Sequence, residues 1–139
     1  MFNPMKRDDT SHFTNSRYVK ELTPNNFDAT FSYKFNDNMR GCGIVLFYAP
    51  WCGYCKEAFP IFENAGKLAG FCDFYGFNCE KYKDHVSKIK EEMPNLISGY
   101  PTIVVYKNGI PTLTHNGERS VASIVKLCMN TCKNNKNDN

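Results

Sequence analysis

The run Gly43-Ile-Val-Leu-Phe-Tyr-Ala49 constrains this chain more than any other segment. It is apolar without a break and shows no alternation, so a strand there is buried on both faces. A strand of that kind sits inside a sheet that is covered above and below. The rest of the chain must therefore supply covering layers, and the pattern of periods around the run provides them.

Arg17 to Leu22 reads as a short strand, followed by Thr23 as a helix cap and Pro24 as a first helical residue. Asn25 to Phe35 reads as that helix, with Phe27, Phe31 and Phe35 forming one apolar stripe. A second helix runs from about Gly53 to Leu68, with Ala58, Phe62, Ala65 and Ala69 near one face and Pro60 inside it. Phe71 to Asn78 is an aromatic strand, and Tyr82 to Met93 is a polar helix with Val86, Ile89 and Met93 on one side. Pro101 to Tyr106 and Ile110 to His115 are strands joined by the Asn108-Gly109 hairpin signal. Ser120 to Cys132 closes the domain as a helix. The order β-α-β-α-β-α-β-β-α predicts an α/β fold, a mixed central sheet with helices on both faces.

At 139 residues the chain is one domain, spanning residues 17–132. Residues 1–16 and 133–139 are polar without periodicity and read as disordered tails. A net charge of +3 beside 14 acidic residues gives no basic stripe, which argues against nucleic acid. The longest apolar run, Ile44 to Pro50, falls far short of the ~20 residues that span a bilayer, so no membrane association is expected. No apolar stretch follows the early charges, and the C-terminal Lys-Asn-Asp-Asn is not a retention signal. The expected location is cytoplasmic or within a virus particle, unless a cleaved leader is missing. Asparagine abundance hints, from composition alone, at an AT-rich genome. Seven cysteines are many for such a compartment and odd in number, which points away from a fully paired scaffold.

Cys52-Gly53-Tyr54-Cys55 carries the chemistry. It stands where the buried strand ends and a helix begins, at the C-terminal edge of the sheet where open α/β folds put their sites. The helix N-terminus offers unpaired N–H groups and the positive end of a dipole, and both favour a thiolate. Cys55 lies one turn deeper, close enough to pair with Cys52 yet more shielded. An exposed nucleophile beside a shielded resolving thiol is what thiol–disulfide exchange requires. The plainer readings are half of a zinc site or a structural disulfide. Zinc would need a second pair, but Cys72 and Cys79 are seven apart and there is no pair of histidines at ligand spacing.

Tyr48-Ala49-Pro50-Trp51-Cys52-Gly53-Tyr54-Cys55-Lys56 resembles the active-site stretch of the thioredoxin family, nearest to the catalytic domains of protein disulfide isomerases. Val19 to Asp28 is similar to the opening of those domains, and Pro60 stands where the family kinks its helix. Gly99-Tyr100-Pro101-Thr102 is similar to the family's cis-proline loop, and Gly117 to Ser120 to the segment before the last helix. The resemblance covers about residues 18–132. It implies a thioredoxin fold and a thiol–disulfide oxidoreductase that acts on protein disulfides through Cys52 and Cys55. Substrate would be met around Trp51, Gly53, Tyr54, Tyr100 and Pro101, with the Pro101 bond cis. No metal or organic cofactor is implied. The implied partners are protein substrates and a recycling reductase or oxidase, met by a monomer. Three departures stand out. Tyr54 replaces the family's Pro or His, Leu46 replaces a buried acid, and neither a leader nor a retention signal is expected.

The other cysteines read as bland. Cys128 and Cys132 continue the apolar face of Val121, Ile124 and Val125, and Cys72 and Cys79 read as structural. Cys42, in Gly41-Cys42-Gly43, is the expected exposed extra thiol. Arg119 resembles the arginine that swings near the resolving cysteine, against a plain solvated charge. His115 and Lys56 read as surface. Two other classes of function compete: a thioredoxin-fold binding or packaging module with little redox activity, and a glutaredoxin-like enzyme suggested by Tyr54 alone.

Overall fold

A computed structural model of the chain describes residues 10–133. Five strands form one sheet: β1 (Lys20–Glu21), β2 (Cys42–Tyr48), β3 (Asp73–Asn78), β4 (Thr102–Lys107) and β5 (Ile110–Thr114), in the order β1-β3-β2-β4-β5. β1, β3 and β2 are parallel, while β4 runs antiparallel to both β2 and β5. The hairpin turns on Asn108 and Gly109, whose φ angles of 52° and 85° suit the Asn-Gly pair.

Strand periodicity divides the core. Ile44, Leu46 and Tyr48 of β2 face one cluster, which holds Phe59 and Phe62 of α1 (Gly53–Leu68) and Ile124 of α3 (Val121–Cys128). Val45 and Phe47 face the other, which holds Val86 and Ile89 of α2 (Lys83–Glu92) together with Phe27 and Phe35. β2 is thus buried on both faces, as its unbroken apolar run requires. Each such fully buried side chain contributes ~1.5–3 kcal/mol.

Three expectations are corrected. Asn25 to Phe35 is not a helix: only a 3-10 turn forms, over Pro24–Asn26. Beyond it the Asp28 carboxylate accepts the N–H groups of Thr30 and Phe31, closing a local turn, and Phe27 and Phe35 meet as an antiparallel bridge. The i, i+8 phenylalanines therefore enter the core from two sides of a loop, while Phe31 is exposed at its tip. Residues 10–16 do not form a disordered tail, because Phe13 is buried and its N–H donates to Glu21 Oε2. The ring lies over Gly76, where a Cβ would approach Phe13 Cδ2 to 2.6 Å, so β3 must carry glycine there. The rest of the expected N-terminal tail, 1–9, lies outside the described residues, as does 134–139 at the other end. Lastly, the closing helix is α-helical only to Cys128 and continues as a π-helical turn, Met129–Lys133.

Candidate active site

β2 delivers the chain to the site, and α1 carries it away. Cys52 is the N-cap of α1 with extended backbone (φ −79°, ψ 125°), and its carbonyl accepts the Lys56 N–H at 3.0 Å. Its side chain is half-buried, and both Cys52 and Cys55 are free thiols. Gly53 follows with open space at its Cα, and Tyr54 is 65% exposed. Cys55 comes next and is buried among Leu46, Phe59 and Phe62.

The Cys55 thiol is pushed up to about 12, by burial first and by the Cys52 side chain, against the opposing pull of the Ala49 backbone and the Arg119 charge. Arg119 also lies over the Tyr54 ring, 6.0 Å from its centroid, so the arginine faces the pair rather than open solvent alone.

Trp51 is 58% exposed and its indole N–H donates to Glu80 at 2.9 Å, which holds the ring beside Cys52. On the other side the loop before β4 brings up the cis Tyr100–Pro101 bond. The Cys52 thiol lies 3.6 Å from the Tyr100 carbonyl. All seven residues read from the sequence — Trp51, Cys52, Gly53, Tyr54, Cys55, Tyr100 and Pro101 — therefore lie in the two stretches that meet here.

The structure adds groups that the sequence reading left bland. Cys79 follows β3; its thiol is pushed up to about 12, by burial first and with the Cys55 charge adding to the rise, against the opposing pull of the Tyr100 hydroxyl. Glu21 is half-buried on β1, with Oε2 accepting from the Phe13 N–H and from Tyr48 Oη at 2.7 Å. Its buried Oε1 has no hydrogen-bond partner among the described residues. Burial raises this carboxyl above its ordinary range, against the pull of those bonds.

The reading of Cys42 as an exposed free thiol, and of Cys132 as an inert hydrophobe, is corrected: the two form a disulfide across 90 residues. Spacing alone does not reveal connectivity, and no local signal pairs them. Among the described residues, one group of ligand-type side chains lies close enough to share a metal: Cys42, Cys72 and Cys132. With two of its sulfurs joined, it is a disulfide in this structure. No helix among the described residues is long and apolar enough to cross a membrane.

The chain belongs to the thioredoxin family, whose model, described as Thioredoxin, matches residues 18–130. Protein disulfide isomerase-like 2-3 of Oryza sativa subsp. japonica is 32% identical over 116 residues, which are 83% of this chain and 24% of that protein. Protein disulfide-isomerase 5-2 of Arabidopsis thaliana is 34% identical over 118 residues, 82% of this chain and 24% of the relative. This chain thus spans about a quarter of the length of these relatives. Among solved structures, the J-Trx1 fragment of ERdj5 aligns with a TM-score of 0.66 at 22% identity, over 85% of this chain and 53% of that one. Form I of human ERp44 aligns with a TM-score of 0.65 at 25% identity, over 86% and 30% of the two chains.

Proposed function

We propose that this chain is a thiol–disulfide oxidoreductase that acts on protein disulfides through Cys52 and Cys55. The observation that carries the reading is the asymmetry of the pair: Cys52 half-buried at the N-cap of α1, and Cys55 buried one turn further on. The family and the disulfide-isomerase relatives support it.

The Cys52 thiolate attacks one sulfur of a substrate disulfide. A Cys52–substrate bond forms, the substrate S–S bond breaks, and the leaving sulfur takes up a proton. Cys55 then loses its proton and attacks Cys52 Sγ. The substrate leaves as a second thiol, and Cys52–Cys55 is oxidised by the two electrons that the substrate gained. Run backwards, the same steps donate a disulfide. Trp51 and Tyr54 offer exposed rings for an apolar substrate segment. The Tyr100–Pro101 loop offers backbone groups beside Cys52 for an extended one. A recycling reductase or oxidase, met by a monomer in the cytoplasm or in a virus particle, completes the cycle.

The alternative, a binding module with little redox activity, draws on Leu46, which fills the core where the family keeps an acid. Insulin reduction with dithiothreitol as electron source separates the two. The enzyme reading expects precipitation of the insulin B chain faster than the buffer blank, abolished by Cys52→Ser. A rate equal to the blank leaves the binding module. Titration of the Cys52–Cys55 pair against glutathione then assigns direction: a potential near −270 mV marks a reductant, and one near −180 mV an oxidant or isomerase.

A further inference from the structure

A second sulfur cluster lies at the far end of β2 from Cys52, about 20 Å away along the strand. Cys42 opens β2 and is bonded to Cys132 in the closing π-helical turn. Cys72, just before β3, holds its Sγ 3.0 Å from Cys132 Sγ. The three sulfurs lie within 4.8 Å of one another. Cys128 of α3, itself buried, reaches the Cys72 thiol.

A static staple needs two cysteines, and here a third thiol already touches the bonded sulfur. The members also differ in access. Cys72 and Cys132 are buried, whereas Cys42 is half-buried. Cys42 and Cys132 both line a surface cavity of about 330 Å³ with Phe71, Asp73 and Lys107, and Cys72 does not reach it.

We propose that Cys42, Cys72 and Cys132 form a second thiol–disulfide centre, in which the bridge moves between Cys42–Cys132 and Cys72–Cys132. Cys72 gives up its proton, and its sulfur attacks Cys132 Sγ. The Cys72–Cys132 bond forms as Cys42–Cys132 breaks, and the electron pair leaves on Cys42, which takes up a proton. One thiol and one disulfide stand on each side, so no outside oxidant or reductant is needed. The exchange delivers a thiol to the cavity beside Lys107. There it can attack a small disulfide such as oxidised glutathione, forming a Cys42–glutathione bond and releasing one reduced glutathione.

The groups that face Cys72 set the pace. Cys128 from α3, burial and Asp73 from β3 all raise its thiol, and Tyr75 of β3 shares that electrostatic environment. The exchange is therefore slow at neutral pH and accelerates in alkali.

The test uses the full chain carrying Cys52→Ser and Cys55→Ser, so that the other pair supplies no exchange. It is incubated with graded reduced and oxidised glutathione at pH 7 and pH 9, acid-quenched at successive times, alkylated and mapped without reduction by tandem mass spectrometry. Two bridges are expected, Cys42–Cys132 and Cys72–Cys132, the second forming at least tenfold faster at pH 9, with Cys42 then alkylated or glutathionylated. Adding Cys42→Ser should leave Cys72–Cys132 as the bridge. The proposal fails if Cys42–Cys132 is the single bridge at both pH values. It also fails if Cys72 stays a thiol in the Cys42→Ser chain, or if the reduced chain retains zinc on these thiols. None of these outcomes bears on insulin reduction by Cys52 and Cys55.

Discussion

Cys52 and Cys55 are three residues apart, yet their surroundings assign them opposite tasks. Cys52 sits half-open at a helix N-terminus, while Cys55 is sealed beneath it, its thiol raised to about 12 by burial. Iodoacetamide at pH 7 should label Cys52 at least tenfold faster than any other thiol of the reduced chain. Faster labelling of Cys55 or Cys79 would reverse the roles. The same burial governs the second half of the reaction. Below a thiol's pKa, its thiolate fraction rises tenfold per pH unit. Resolution of a Cys52 mixed disulfide should therefore quicken about tenfold per unit between pH 7 and pH 9. Leu46, fully buried in the cluster that holds Cys55, supplies no base to soften that slope. Leu46→Glu should lower stability, because it buries a carboxyl, but raise the rate of resolution at pH 7 and flatten its pH dependence. A folded Leu46→Glu chain with the wild-type rate and slope would rule out proton transfer as the slow step.

At the scale of elements, legibility follows locality. β2, α1 and the β4–β5 hairpin were readable because their signals are short-range: an unbroken apolar run, a 3.6-residue period, an Asn-Gly turn. Segment 25–35 was misread because phenylalanines at i, i+4 and i+8 suit a helix stripe and also suit a loop that Asp28 closes onto the core. The segment around Phe13 has no period; its place depends on a partner, Glu21, on β1. Phe13→Ala should cost ~3–5 kcal/mol, read by urea unfolding. Glu21 itself makes stability depend on pH. Its folded pKa is raised from 4.5, so the folded chain holds the proton more tightly than the unfolded one. Its contribution is full below pH ~4.5 and is lost as pH rises through the raised value. Glu21→Gln should remove that slope, so that its melting temperature relative to wild type improves from pH 4 to pH 7. An unchanged difference across that range would place the buried charge elsewhere.

Taken whole, the molecule carries a sulfur centre at each end of β2, and their legibility differs for the same reason as the elements. The Cys52 pair is a four-residue motif. The Cys42–Cys132 bond closes 90 residues and depends on α3 packing on α1 so that the turn after it meets β2. Joining those ends removes chain entropy from the unfolded state, worth about 4–5 kcal/mol for a loop of this length. A Cys72–Cys132 bond would close 60 residues, and the logarithmic dependence on length makes the two loops differ by only ~0.4 kcal/mol. Oxidised Cys132→Ser should therefore lose nearly the full amount, having no partner left for either bridge. Oxidised Cys42→Ser should keep most of it, because Cys72 takes over. Urea midpoints of the three oxidised chains measure both effects, and reduced chains serve as the baseline in which all three should nearly coincide. Equal midpoints for oxidised Cys42→Ser and Cys132→Ser would mean that no second bridge closes, leaving Cys42–Cys132 a fixed staple.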